Sequence, residues 1–364
     1  MLGRILLALA LSWAVPSAFA AETGWPNYQE GDFVLKDYAF ADGERLPELK
    51  LHYRTFGTPK RNARGEIVNG VLLLHETSGP GSNWLMPSLT EELFHAGQPL
   101  DPAEYFIIIP DGIGRGGSSK PSDGMRTKFP HYRYHDIVDS EHRLVTEGLH
   151  VAHLRLVIGR SMGAMHCWMW AEMYPDLMDG VVALASQPVA MSGRNWIMRR
   201  AAAEAIRHDP DWKDGNYETQ PTHWIYTAPM TALMTENPVR IQEIAPTREK
   251  ADAYYRQLVE RAAKADANDT LYGIEAAEDY NPEPELDKIR AKVLVINSAD
   301  DMVNPPDLGT VERGLARVRD AKYVLIPEGD KTHGHFTHRY AAIWKPYLVD
   351  FLKTLAPTKA AEAK

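Results

Sequence analysis

Six apolar runs dominate the chain and limit what it can fold into. "GVLLLHE" (70–76), "EYFIIIPD" (104–111), "HLRLVIGRS" (153–161), "GVVALAS" (180–186), "AKVLVINS" (291–298) and "KYVLIPE" (322–328) are rich in Val, Ile and Leu and do not alternate with polar residues. A strand that is apolar at every position needs cover on both faces, as inside a parallel sheet. Amphipathic segments at 136–149, 162–174, 308–318 and 338–355 follow the runs. The order is therefore a repeated βα, which predicts an α/β fold: a mostly parallel, doubly wound sheet with helices on both faces. Ahead of it "DFVLKDYAF" and "LKLHYRTFG" alternate more clearly and are expected to form an antiparallel edge.

The alternation is interrupted once. From Gln187 to Lys288 there is no strong strand, only helical patterning dense in Trp, Tyr, Met and Pro. This predicts a helical cap over 187–288 that divides the core into 21–186 and 289–356. An excursion of that size with apolar faces of its own should cover a site. Trp196, Trp212, Trp224, Tyr226 and Met230 are consistent with an aromatic-lined pocket beneath it. At helical spacing the same residues also suit the cap's own core. Trp224 and Tyr226 are taken as candidate substrate contacts.

The first twenty residues carry Arg4, about a dozen apolar residues, and Ala18-Phe19-Ala20 before Ala21. This is the pattern of a secretory signal cleaved after Ala20, too short for a membrane span. Its removal takes away one Arg and no acid, so the net charge goes from −9 to −10. The expected location is periplasmic or secreted. No later segment approaches 18 consecutive apolar residues, so no membrane partner is expected after cleavage. A net-negative chain without a dense Lys/Arg block also offers little to nucleic acid. The tail at 357–364 is expected to be flexible. The single cysteine, Cys167, can form no intrachain disulfide and sits in "MHCWMW", where an inert buried thiol is expected.

Gly112, Gly114 and Gly117 spell G-x-G-x-x-G after the second apolar run. A dinucleotide turn needs its third glycine to open a helix, with an acidic residue about 20 positions on. Here "SSKPSDGMRTKFPHY" follows, which is turn chemistry. No nucleotide or other cofactor is expected, and the glycines are read as shaping a tight loop beside a site.

The chemistry is better placed at Gly159-Arg160-Ser161-Met162-Gly163, a G-x-S-x-G between the third run and a helix. So sharp a turn excludes bulk two residues either side of the serine and pushes its hydroxyl out above the sheet. The Met162 N–H then opens the helix and faces any oxyanion formed there. The pattern alone is weak; its position carries the weight, with an acid and a base still to come in the order Ser, Asp, His. "VLVINSADDMVNPP" offers Asp300 and Asp301. Asp301 is favoured because the residues after it resemble the D-x-x-x-P run behind hydrolase triad acids, and the other aspartate is expected to serve a turn. "PEGDKTHGHFTH" offers His333, His335 and His338, of which His335 is favoured because Gly334 lets the loop pass close to the serine. Read as metal ligands, the three lack the Cys or Glu of a convincing zinc set, so no metal is expected. In "LLLHETSGPGSNW" Thr77 is the expected second oxyanion donor and His75 a structural residue.

Together "LKLHYRTFGTP", "PLDPAEYFIIIPDGIG", "FPHYRYHDIV", "GRSMGAMHCWMWAEMYPD", "AIRHDPDWKDGNY", "DDMVNPP" and "GHF" resemble the homoserine O-acetyltransferase family of the α/β-hydrolase fold. The resemblance spans residues 45–355. It implies that fold, with Ser161, Asp301 and His335 as nucleophile, acid and base, and with Thr77 and Met162 as oxyanion donors. It leaves a homodimer through the cap open. Two departures matter. The family's G-G-S-M-G-G has Arg160 before the serine and Ala164 after Gly163 here. The Ala-Arg pair with which the family's cap grips the amino-acid carboxylate corresponds to "THWIYTAPMTA", which has no arginine. Loss of a bidentate clamp should abolish good homoserine binding. Arg160 is either a replacement substrate contact or, the favoured reading, half of a structural ion pair.

Acetyl-CoA is a cytosolic donor, whereas an exported enzyme meets water as its abundant acceptor. The expectation is a serine hydrolase that cleaves a small carboxylic ester through an acyl-enzyme. The alternatives are an O-acyltransferase using the same intermediate with an alcohol acceptor, and a non-catalytic ligand-binding protein of this fold. Expressed with its own N-terminus in a bacterial host, the chain should be recovered from periplasm or medium with an intact mass beginning at Ala21. A cytoplasmic chain retaining residues 1–20 would overturn the leader.

Overall fold

The computed structural model describes residues 24–356, so the expected leader at 1–20 and tail at 357–364 lie outside the described residues. Eight strands form one sheet in the order β1-β2-β4-β3-β5-β6-β7-β8. β1 (Gln29–Ala39) pairs antiparallel with β2 (Arg45–Gly57), and β2 antiparallel with β4 (Phe106–Pro110). β3 (Gly70–Leu74), β5 (Leu154–Arg160), β6 (Met178–Leu184), β7 (Lys292–Ser298) and β8 (Ala321–Ile326) join β4 in a parallel array. All six apolar runs are strands of it. The chain leaves β3 toward β4 on one side and returns to β5 on the other, with Leu74 paired to Gly159. The carboxyl ends of β3 and β5 flank this reversal, where open α/β sheets hold ligands.

Both faces of the inner strands are consumed by packing, as unbroken apolar strands require, whereas at the edge only Ile326 of β8 is buried. On one face α1 (Pro87–Leu93) and α10 (Ala341–Thr354) set Leu89, Leu93, Trp344 and Leu348 against Val71, Leu73, Leu294 and Ile296. On the other, α2 (Tyr134–Arg143) and α3 (Met162–Met173) set Ile137, Val138 and Trp168 against Leu72, Leu74, Val293 and Val295. The alternation along β7, with 293 and 295 facing one way and 294 and 296 the other, is the pleat itself. The segment at 162–174 is not amphipathic: ten of the twelve residues of α3 are buried. Its outer side is covered in turn by Tyr280, Leu286 and Ile289 from the end of the long insertion, which join the same apolar cluster.

Between β6 and β7 the chain forms α4 (Gly193–Arg207), α5 (Ala228–Thr235), α6 (Pro238–Ile244), α7 (Arg248–Ala262) and α8 (Ala267–Glu275). Ala203, Ile206, Tyr217, Trp224, Ile225, Ala267 and Leu271 make a small core of their own there. The short α9 (Thr310–Leu315) follows β7. Among the described residues no helix is long and apolar enough to cross a membrane.

The glycine-rich loop after β4 runs into a short 3-10 turn at Pro121–Asp123 rather than a helix. Its organiser is the fully buried Asp111, which accepts the Gly81 N–H at 2.7 Å and the Gly117 N–H at 2.9 Å and pairs with Arg54 at 3.0 Å. The loop thus binds its own carboxylate. Cys167 is buried in α3 as expected.

Glu141 on α2 is buried under the sheet, with the Trp170 indole N–H donating to it at 3.4 Å. Burial pushes its carboxyl from an ordinary 4.5 up to about 8. The folded state therefore holds a proton that the unfolded chain releases, and the associated stability is present below about pH 4.5 and lost as pH rises toward 8. Glu141→Gln keeps an acceptor for Trp170 and removes the titration. Its melting temperature, followed by circular dichroism, should gain steadily on the parent between pH 5 and about pH 8 and level off above it; parallel curves would show that Glu141 does not titrate in this window.

Candidate active site

The sheet delivers its chemistry at the turn from β5 into α3. Ser161 has φ 54° and ψ −113°, a conformation that a non-glycine residue holds only when its surroundings impose it. Its N–H donates to the Leu184 carbonyl of β6 at 2.9 Å, and its own carbonyl receives the Met165 N–H at 3.0 Å to begin the helix. The flanking glycines are steric requirements. A Cβ on Gly159 would lie 2.1 Å from the Gly163 carbonyl oxygen, and one on Gly163 2.3 Å from that of Leu74. Only hydrogen fits where helix and strand are pressed this close.

The Ser161 Oγ lies 2.8 Å from His335 Nε2, and His335 Nδ1 lies 2.9 Å from Asp301 Oδ2. Asp301 follows β7 and is buried; burial alone would raise its carboxyl, but His335 and Asn304 outweigh it and hold it below the usual carboxylate range. The Val303 and Asn304 N–H groups donate to Oδ1 at 2.8 and 3.1 Å. The Asn304 amide donates to Oδ2 at 3.1 Å and to the Ala185 carbonyl at 3.0 Å, tying the acid to the end of β6. An ionised acid in this position orients the ring with Nδ1 toward the carboxylate and Nε2 toward the serine.

Asp300 faces elsewhere. It accepts the Gly334 N–H at 2.9 Å and the side chain of Asn237, which also caps α6. Gly334 is needed there for a reason other than closeness to the serine. At φ 57° its missing Cβ would stand 3.0 Å from the Asn237 nitrogen, so the tight approach is between the histidine loop and the insertion. His333 stacks on Tyr340 at 3.9 Å and His338 is buried 3.6 Å from Glu76, so the three histidines face different partners.

Thr77 lies in the loop after β3 and Met162 is the first residue of α3. Among the described residues neither backbone N–H is donated to a protein acceptor. His75 holds the loop: its Nε2 accepts the Gly112 N–H at 3.0 Å and its Nδ1 donates to the Glu76 carbonyl at 2.8 Å. Arg160 is wholly buried, lies over the Trp84 ring at 4.5 Å and stands 3.8 Å from Glu76. Burial lowers its guanidinium to about 10 against the pull of Glu76, so it is still a cation at neutral pH. It does not line the cavity.

That cavity, of about 170 Å³, opens in front of Ser161 and His335 and is lined also by Thr77, Met198, Arg199 and Arg339. Trp224 and Tyr226 are not among its walls. Trp224 is spent on the insertion's own core, and Tyr226 is 58% exposed on the outside. The sequence reading missed Glu76, Arg199, Asn304 and Arg339. Only Asn304 had a local signal, because a side chain three residues after a turn aspartate can reach back to it.

The sequence matches the alpha/beta hydrolase fold family over residues 78–333. A probable acyltransferase of Methanothermobacter thermautotrophicus is 27% identical over 322 residues, covering 88% of this chain and 96% of that protein. A homoserine O-acetyltransferase of Haemophilus influenzae is 28% identical and covers 78% of each chain. Among solved structures, an acetylester hydrolase from Corynebacterium glutamicum superposes with a TM-score of 0.78 at 20% identity, covering 90% of this chain and 96% of that one. The chain belongs to the alpha/beta hydrolase fold family and is similar within it to homoserine O-acetyltransferases.

Proposed function

We propose that the chain, an enzyme of the alpha/beta hydrolase type, cleaves a small carboxylic ester through an acyl-enzyme on Ser161. The observation that carries this reading is the continuous chain of contacts from Ser161 Oγ to His335 at 2.8 Å and from His335 to the buried Asp301 at 2.9 Å. In the first step Ser161 Oγ attacks the ester carbonyl carbon as its proton passes to His335 Nε2. The tetrahedral oxyanion is received by the Thr77 and Met162 amides, with the N-terminal dipole of α3 behind the second. His335 then returns the proton to the departing alcohol as the carbon–oxygen bond breaks. Water then attacks the acyl carbon as its proton passes to His335, and the bond to Ser161 Oγ breaks as His335 gives that proton to Oγ, releasing the acid and the free serine. Asp301 stays ionised throughout and stabilises the imidazolium that forms twice per cycle.

A second reading is favoured by one specific finding, the acyltransferase names carried by its sequence relatives. An alcohol would then take the place of water at the second step, with no change in the machinery. We assign the chain to an exported location on its first twenty residues, and there water favours hydrolysis.

Ser161→Ala should lower kcat on p-nitrophenyl acetate by about 10³-fold or more, and Asp301→Asn by on the order of 10³- to 10⁴-fold, with folding unchanged by circular dichroism. Comparable turnover in Ser161→Ala would sink the assignment. The two reactions separate in a stopped-flow trace. Steady release of p-nitrophenol with no acyl product on added alcohols marks the hydrolase. A one-equivalent burst followed by a stall that alcohols relieve marks the transferase.

A further inference from the structure

One wall of the cavity in front of Ser161 carries a charge that no carboxylate answers among the described residues. α4 turns Asn195, Met198, Arg199 and Ala202 toward the cavity, the i, i+3, i+4, i+7 face of one helix. The half-buried Arg199 makes one side-chain hydrogen bond, from Nε to the neutral Asn195 Oδ1 at 3.3 Å, and among the described residues no carboxylate pairs with it. The other arginines at the site differ. Arg339 grips Glu76 through Nε at 3.0 Å and through Nη2, and the buried Arg160 faces the same carboxylate. Glu76 is thus shared by two cations already. Tyr134 gives Arg199 no counter-charge either. Burial pushes that phenol up, against the pull of Arg199, and so keeps it neutral.

A half-buried guanidinium facing the cavity, with no carboxylate paired to it among the described residues, is free to receive a bound anion, and its planar fork matches a carboxylate. We propose that the substrate carries one carboxylate besides its ester group and that Arg199 receives it. The substrate class is a half-ester of a small dicarboxylic acid or an acylated hydroxy acid. The two differ in which side of the scissile bond bears the charge. This inference rests on the reading of Ser161 as an acyl acceptor, but it can be tested without turnover.

In Ser161→Ala protein, calorimetric titration should show monomethyl succinate binding at least tenfold more tightly than dimethyl succinate, or O-acetyl-lactate more tightly than its methyl ester by the same factor. The arm that shows the preference places the carboxylate on the acyl or the alcohol side. Adding Arg199→Met should erase the preference, and Arg199→Lys, which keeps the charge and loses the fork, should retain part of it. Equal binding of charged and neutral partners in both arms would overturn the proposal, as would equal weakening of both by Arg199→Met. Failure of the acyl-enzyme reading would show separately, as turnover that survives in Ser161→Ala.

Discussion

The site depends on a backbone conformation that Ser161 would not choose. Holding a serine at φ 54°, ψ −113° costs on the order of 1–3 kcal/mol, and the sheet imposes it from both sides. The hydrogen bond to Leu184 fixes where β5 ends, and the Met165 N–H fixes where α3 begins. With both ends anchored and glycines at 159 and 163 where any larger residue would strike backbone, the turn has no room to relax. The orientation of the hydroxyl and the open amide of Met162 both follow from it. The all-apolar strands therefore serve the chemistry indirectly, because only a sheet packed on both faces is rigid enough to carry the strain.

Glu76 joins what the strands leave apart. It precedes Thr77 in the loop after β3, faces Arg160 at the end of β5, and is held by Arg339 in the loop after β8. Two loops and the end of a strand thus converge on one buried carboxylate. Burial would raise its carboxyl, yet Arg160 and Arg339 outweigh this and hold it below the ordinary range. Arg160 depends on it equally: wholly buried, with no hydrogen bond from its guanidinium among the described residues, it has Glu76 as its countercharge and the Trp84 face as its packing. A buried pair of this kind adds little net stability, but removal of Glu76 would leave Arg160 as a stranded charge at a cost of about 3–5 kcal/mol.

Much of this was legible in the sequence because it is written locally. The six strands, the edge pair, the insertion and the serine turn each follow from residues adjacent in the chain, since unbroken apolar runs and a G-x-S-x-G at a strand end have few other uses. The choice between Asp300 and Asp301 rested on four following residues, and the geometry places Asp301 against the histidine. Cavity walls were not legible in this way. Trp224 and Tyr226 drew attention as large apolar residues, but bulk alone does not say whether a side chain fills a core, faces solvent or lines a pocket. Arg199, one of two adjacent arginines on an ordinary helix, gains meaning only when α4 is laid over the sheet. α3 misled for a related reason, since its outer face is covered by residues more than a hundred positions later.

Asp300 has a role beyond serving a turn. It binds the cap residue of α6 and the amide beside the His335 imidazole with the same carboxylate, and Gly334 lets the two backbones touch. The insertion and the histidine loop are thus tied to one carboxylate. The placement of His335 Nε2 against the serine therefore depends on a residue of the insertion, Asn237, as well as on the loop that carries the imidazole.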